Sequence, residues 1–297
     1  MRKVESLAVL VLLAVAAHAD GVAEPTEVAL VTGAIRGVGK GVDLGLAEAG
    51  VTVCAAARTL ADTEGVVGSL EENVREARAL VGDCRAVCCD VSDECSIDSM
   101  FEQVGPECEA IGILVNSAWG GYESMVENGE FTWPKPFWEQ PSWRWKAMFE
   151  AGVRSDFLCA RLAVPGMIER GRGLIVNVSF WAAQRPIANV IYGAAKYATD
   201  RLTTEMALEF EGTGGTVVSL YPGLVRTEKV MEAAEFLDLS NSESPQFMGR
   251  AVAALAADPD RQSKSGQAPV AAALGREYGF YDIDGSSAEP LPLESLP

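Results

Sequence analysis

The sequence predicts a single-domain α/β fold, a doubly wound parallel sheet flanked by helices on both faces. Three observations carry this expectation. Short apolar runs alternate with segments of helical length along almost the whole chain. Most of those runs are continuously apolar, the pattern of strands covered on both sides. A glycine-rich stretch stands between the first apolar run and the first helical segment. With 297 residues, 48% of them hydrophobic, the chain can bury one large core.

In order, "VALVT" (28–32), "VTVCAAA" (51–57), "CRAVCCD" (84–90), "ILVN" (113–116), "GLIVNVS" (173–179) and "TVVSLY" (216–221) read as strands. Helices are expected between them over 37–49, 60–81, 93–109, 142–170 and 190–212. A last helix near 244–257 and a short strand near 268–273 would close the fold. No interdomain linker, repeat or low-complexity segment interrupts the pattern. The domain is therefore placed at 27–285, and the proline-rich stretch 286–297 is expected to be a loose tail.

The chain opens "MRKVESLAVLVLLAVAAHAD". Arg2 and Lys3 precede an unbroken apolar run, Leu7 to Ala17, too short to span a bilayer as a helix. Small residues at Ala17 and Ala19 complete the pattern of a signal peptide over 1–19, cleaved after Ala19. This predicts entry into the secretory pathway, to the endoplasmic reticulum or an organelle reached through it. An uncleaved segment would instead associate the N-terminus with a membrane. The seven cysteines contain no C-x-x-C pair, so zinc and dithiol chemistry are not expected. A bridge among Cys84, Cys95 and Cys108 is conceivable but not favoured. The only glycosylation triplet, Asn177-Val178-Ser179, ends an apolar strand, where no sugar is expected. A net charge of −18 argues against nucleic acid as a partner.

Strand 28–32 runs into "TGAIRGVGK". Gly33, Gly37 and Gly39 allow a tight turn and close backbone approach, and the helix that follows points its amides at a pyrophosphate. Gly33, Arg36, Gly37, Val38 and Gly39 are thus candidate contacts to a dinucleotide. The second strand ends at Ala57-Arg58, with no carboxylate for ribose hydroxyls. Arg36 and Arg58 suit a 2′-phosphate, so NADP(H) is expected over NAD(H).

Ser179 ends the fifth strand, Tyr192 follows 13 residues later, and Lys196 lies one helical turn beyond. An ammonium beside a phenol lowers the pKa of the phenol. The expectation is that Tyr192 exchanges a proton with a carbonyl or alcohol oxygen, that Lys196 acidifies it, and that Ser179 holds the same oxygen. This set would stand in for histidine, of which the chain has one, His18.

With "TGAIRGVG", "CDVSD", "NSAW", the serine of "NVSF", "YGAAK" and "YPGLVRT" in this order, the chain resembles the short-chain dehydrogenase/reductase family over about 27–275. Within the family it is most similar to the dehydrogenase/reductase member 1 group, by "NSAWGG", "RLAVPGMIERGRGLIVNVS" and "GREYGFYDIDG". The resemblance implies a Rossmann-type fold, a nicotinamide hydride carrier, and Ser179, Tyr192 and Lys196 as the catalytic set, Lys196 also holding the nicotinamide ribose. It implies cofactor contacts at Asp90 and Val91 beside the adenine, at Asn116 and Ala118, and at Pro222, Gly223, Val225 and Thr227 over the nicotinamide. It also implies a homodimer or homotetramer. Two positions depart from the common pattern: Trp119 replaces a glycine, and Gly152 replaces an asparagine that completes a proton relay.

Five of the six tryptophans (Trp119, Trp133, Trp138, Trp143 and Trp145) fall between 119 and 145, with Phe131 and Phe137, and Trp181 follows Ser179. They read either as walls of an apolar pocket, or as local packing that pins a long loop or an interface with another subunit. The activity expected is NADPH-dependent reduction of a hydrophobic ketone or aldehyde, such as a steroid, retinoid or xenobiotic. The alternatives are alcohol oxidation, epimerisation, or an NADP-binding scaffold or redox sensor with little turnover. No metal is expected.

Overall fold

The computed structural model describes residues 27–291 except 108–110, 123–124, 128–129, 188 and 233. The signal-like stretch 1–19, Cys108 and residues 292–297 lie outside the described residues. Six strands form one wholly parallel sheet: β1 (Val28–Thr32), β2 (Thr52–Ala57), β3 (Cys84–Cys88), β4 (Ile111–Asn116), β5 (Gly173–Val178) and β6 (Gly215–Leu220), ordered β3-β2-β1-β4-β5-β6. The order reverses between β1 and β4, and the crevice at their carboxyl ends is where such sheets bind ligands.

The α-helices of six or more residues are α1 (Gly37–Glu48), α2 (Leu70–Ala77), α3 (Glu94–Glu107), α4 (Trp143–Met148), α5 (Ser155–Glu169), α6 (Val190–Glu209), α7 (Pro245–Ala257) and α8 (Ala271–Tyr278). Because successive strand side chains point to opposite faces, the apolar runs feed two cores. Val31, Val53, Ile113, Val176 and Val218 pack with α1, α7 and α8. Leu30, Cys54, Leu114, Ile175 and Val217 pack with α3 and α5. No disulfide joins the cysteines among the described residues, and no helix there is long and apolar enough to cross a membrane.

Four expectations are corrected. The helix expected over 60–81 is confined to Leu70–Ala77. Gly65 and Gly68 take φ of 78° and 81°, and Ser69 accepts from the Glu72 amide at 3.2 Å to start the helix afresh. The strand expected near 268–273 reduces to one bridge, Tyr221 to Val270, before α8 begins. The helix expected over 142–170 is interrupted by a π-helical turn, Phe149–Arg154, that carries Gly152. The stretch expected to be loose from 286 is tied down as far as Glu289, which exchanges backbone hydrogen bonds with the Asn241 side chain at 2.7 and 3.0 Å.

Candidate active site

The glycine-rich turn is built by close approach. The Thr32 hydroxyl accepts from the Ser117 and Ala118 amides at 3.1 and 3.2 Å, tying the end of β4 to β1. Gly33 has φ of 74°, and a Cβ there would lie 2.7 Å from the Ala118 Cα. A Cβ on Gly39 would lie 2.2 Å from the Gly33 carbonyl oxygen. The backbone of Arg36 is extended where α1 starts, and no side chain of its own caps the helix. Val38 is partly buried against the first core. The Gly37 amide instead donates to Glu228 Oε2 at 3.0 Å. That carboxylate stands in for an anion at the helix N-terminus, the place a pyrophosphate takes in such folds.

Arg58 leaves β2 exposed to solvent. The Asp90 carboxylate accepts from the Ser92 amide and hydroxyl at 3.0 and 2.7 Å. Burial alone would raise its pKa, but those bonds, with Arg58 and Lys146 nearby, hold it below the ordinary 3.8. Val91 is buried in the second core. Asn116 is framework: its amide reaches Asn177 Oδ1 at 2.8 Å, the Asn177 amide reaches Thr203 Oγ1 at 2.8 Å, and Ser219 donates to Thr203 at 2.9 Å. This buried ladder links β4, β5, α6 and β6.

Pro222 to Thr227 passes over the glycine turn. The Gly223 amide donates to Glu243 Oε2 at 3.1 Å, Val225 pairs in register with Glu243, and a Cβ on Gly37 would meet the Thr227 methyl at 3.4 Å. Glycine cradle, anion-seating helix end and closing loop together fit a dinucleotide.

Ser179 follows β5, held by its amide on the Leu220 carbonyl at 3.0 Å. Its hydroxyl is buried without a hydrogen bond of normal geometry among the described residues, the Tyr221 phenol being its electrostatic neighbour. The Lys196 ammonium donates to the Val178 carbonyl at 2.9 Å, next to Ser179, and lies 4.1 Å from the centre of the Trp119 ring. Asn189 begins α6 by accepting from the Ile191 and Tyr192 amides, both at 3.1 Å, while its own amide holds the Trp133 carbonyl at 3.0 Å. One residue therefore ties the start of the helix bearing Tyr192 to the aromatic loop.

The expected acidification of Tyr192 by Lys196 is not found. Burial pushes the phenol well above its ordinary 10, and the Tyr122 and Tyr221 phenols push the same way. The ring is enclosed by Trp119, Trp133, Tyr122 and Phe180, none of them charged. Its hydroxyl meets that of Tyr122 at 3.1 Å. Lys196 is turned to the strand carbonyl and the indole face. Burial lowers its pKa to about 8, against the opposing pull of Asp156 and Asp200.

The tryptophans divide by role. Trp119 and Trp133 wall the site. Trp143 pins the loop, donating to Glu127 Oε1 at 2.6 Å and facing the fully buried Arg144, which also bonds Thr132 and Gln140. Phe131, Phe137, Trp138 and Trp145 are exposed, and Trp181 packs edge-on against Tyr221 in a separate cluster. Trp119 and Trp133 thus match the expected pocket walls, and Trp143 matches the alternative of packing that pins the loop. Tyr122, Glu228 and Glu243 were not singled out in the sequence. Asn189 was not singled out either, although an asparagine directly before the helix expected over 190–212 is a helix-cap signal.

The family model for short chain dehydrogenase matches residues 27–238, and the chain belongs to that family, whose members bind a nicotinamide cofactor. It is 39% identical over 273 residues to mouse Dehydrogenase/reductase SDR family member 1, an alignment covering 87% of this chain and 84% of that protein. The human protein of the same name is 37% identical, covering 91% and 88%. In fold it is similar to a short chain dehydrogenase of Mycobacterium thermoresistibile, with a TM-score of 0.73, 20% identity, and 89% and 91% of the two chains covered. It is likewise similar to L-sorbose reductase of Gluconobacter frateurii complexed with NADPH and L-sorbose, with a TM-score of 0.69, 22% identity, and 89% and 97% covered.

Proposed function

We propose that the chain is an NADPH-dependent reductase of hydrophobic ketones or aldehydes. The observation that carries this reading is Tyr192, a phenol enclosed by uncharged aromatic rings, where burial favours its protonated form. A protonated phenol is the form that gives a proton to a carbonyl oxygen, which favours reduction over alcohol oxidation. When bound, the nicotinamide supplies the hydride. Tyr192 protonates the oxygen, and the buried Ser179 hydroxyl, beside the Tyr221 phenol, holds that oxygen in place. The Lys196 ammonium, held at the Val178 carbonyl, would hold the ribose hydroxyls of the bound cofactor. Gly33, Gly37 and Gly39 would cradle the pyrophosphate, and Pro222, Gly223, Val225 and Thr227 would close over the nicotinamide.

Arg36 and Arg58 support NADPH over NADH, since no carboxylate ends β2. The L-sorbose reductase complex shows a similar fold with that cofactor. Trp119, Trp133 and Phe180 around Tyr192 suit an apolar substrate. The leading stretch 1–19 supports a place in the secretory pathway.

The test is NADPH oxidation by the purified protein across hydrophobic ketones, quinones and aldehydes. Turnover with NADPH well above NADH is expected. Tyr192→Phe should lose about 10²- to 10⁴-fold in rate while still binding NADPH. Wild-type turnover in that variant would overturn the reading.

A further inference from the structure

The pairing of two phenols raises the question of how Tyr192 recovers its proton. The lysine side of the site offers little room. The Lys196 ammonium is capped by the Trp119 ring at 4.1 Å, and the π-helical turn beyond it carries Gly152, which has no side chain to continue a relay. The Tyr122 side is different. Its hydroxyl meets the Tyr192 hydroxyl at 3.1 Å, with the rings 6.1 Å apart. Tyr122 as a residue is 44% exposed, whereas Tyr192 is 5% exposed, so Tyr122 is the more exposed member of the pair, although its hydroxyl is buried.

We propose that Tyr122 is a second catalytic residue, which returns a proton to Tyr192 after each reduction. The inference rests on the proposed reductase reading. Its steps balance. The O–H bond of Tyr192 breaks as its proton passes to the substrate oxygen, the carbon having received hydride from the nicotinamide cofactor. The Tyr192 phenolate then takes the Tyr122 proton along the shared hydrogen bond, and Tyr122 takes one from water or a buffer acid.

The groups facing the pair are few. The electrostatic neighbours of Tyr192 are Tyr122 on the loop after β4 and Tyr221 after β6, with Lys196 one turn along α6. Trp119, Trp133 and Phe180 are uncharged. Burial raises the pKa of both phenols, and their bond favours Tyr122 as the first to ionise. Tyr192 thus keeps the proton that the reaction uses, and Tyr122 handles exchange with solvent.

The test has two arms. In the full chain without added nucleotide, tyrosines labelled with ¹³C at Cζ are followed by NMR against pH, the signals assigned by Phe variants. Tyr122→Phe should let Tyr192 ionise at lower pH, and Tyr192→Phe should make Tyr122 ionise at higher pH. Titrations that ignore each other would overturn the proposal. In the second arm, Tyr122→Phe should bind NADPH normally, reduce ketones roughly ten- to a hundred-fold more slowly, show a larger solvent isotope effect, and recover in part as imidazole buffer is raised. A rate equal to wild type, or a loss that buffer acid does not relieve, would overturn it. If Tyr192→Phe is inactive while Tyr122→Phe is normal, the reductase reading stands and this proposal falls. If Tyr192→Phe remains active, both fall.

Discussion

The Lys196 ammonium lies 4.1 Å from the centre of the Trp119 ring, while its only hydrogen bond among the described residues goes to the Val178 carbonyl at 2.9 Å. An indole face favours the charged form of an amine, so Trp119 helps keep a buried cation at the end of β5.

This fixes a pH limit. Burial lowers the pKa of Lys196 to about 8, with Asp156 and Asp200 opposing. The amine is charged below that value and neutral above it. If the ammonium is what holds the ribose, kcat/KM should be level below pH 8 and fall about tenfold per pH unit above it. Trp119→Leu removes the indole face and should move the limit to lower pH. A pH profile of both proteins, flat through pH 9 in either, would contradict this.

Trp119 and Gly152 depart from the family pattern at separate places in the sequence, yet they touch. A Cβ on Gly152 would lie 2.9 Å from Cε3 and Cζ3 of Trp119. The indole fills the volume that a side chain on the π-helical turn would need. Gly152→Asn alone should therefore destabilise by about 1–3 kcal/mol through overpacking. In a Trp119→Gly background the same change should cost close to nothing. A denaturant double-mutant cycle measures the coupling, and additive costs would show that the two positions are independent.

Glu228 places a carboxylate on the first amide of α1, 3.0 Å from the Gly37 nitrogen. A pyrophosphate seeking that helix end must displace it. A charge at a helix N-terminus is worth roughly 0.3–1 kcal/mol, so Glu228→Gln should tighten NADPH binding about two- to five-fold. Calorimetric titration at low salt checks this. Weaker binding in the variant would mean that Glu228 assists the nucleotide rather than competing with it.

The sheet was legible because its strands are largely continuous apolar runs, and two-sided burial leaves that signature along most of β1 and β4. That Ser179 follows a strand and that Tyr192 and Lys196 lie one turn apart on a helix was legible because strand ends and i, i+4 spacing are written in the sequence. The 60–81 segment misled because its helical composition extends through Gly65 and Gly68, whose positive φ ends any helix. The roles of the tryptophans were open in the sequence for a different reason. Their crowding in sequence says nothing of which faces of a folded loop they take, and Arg144, buried whole, decides that by drawing Trp143 inward. The polarity of Tyr192 depended on what encloses it, which is long-range packing with no local pattern.

Glu243 offers a stability test independent of catalysis. It is 1% exposed, its Oε2 accepts from the Gly223 amide, and its Oε1 has no hydrogen-bond partner among the described residues. Burial raises its pKa from the ordinary 4.5 to about 7, Asp282 adding to the rise and the Gly223 amide and Arg226 opposing it. The folded protein therefore binds this proton more tightly than the unfolded chain does. Its stabilising effect is complete below pH 4.5 and is lost as pH rises through 7. At about 1.4 kcal/mol per unit, that difference is on the order of 3 kcal/mol. Glu243→Gln keeps an acceptor for Gly223 and cannot ionise, so it should match wild type near pH 4.5 and exceed its stability at pH 8. Urea unfolding at both values measures this. An equal gain at both would mean that Glu243 does not titrate with folding, and a loss at pH 8 would mean that the loop over the glycine turn needs the carboxylate charge.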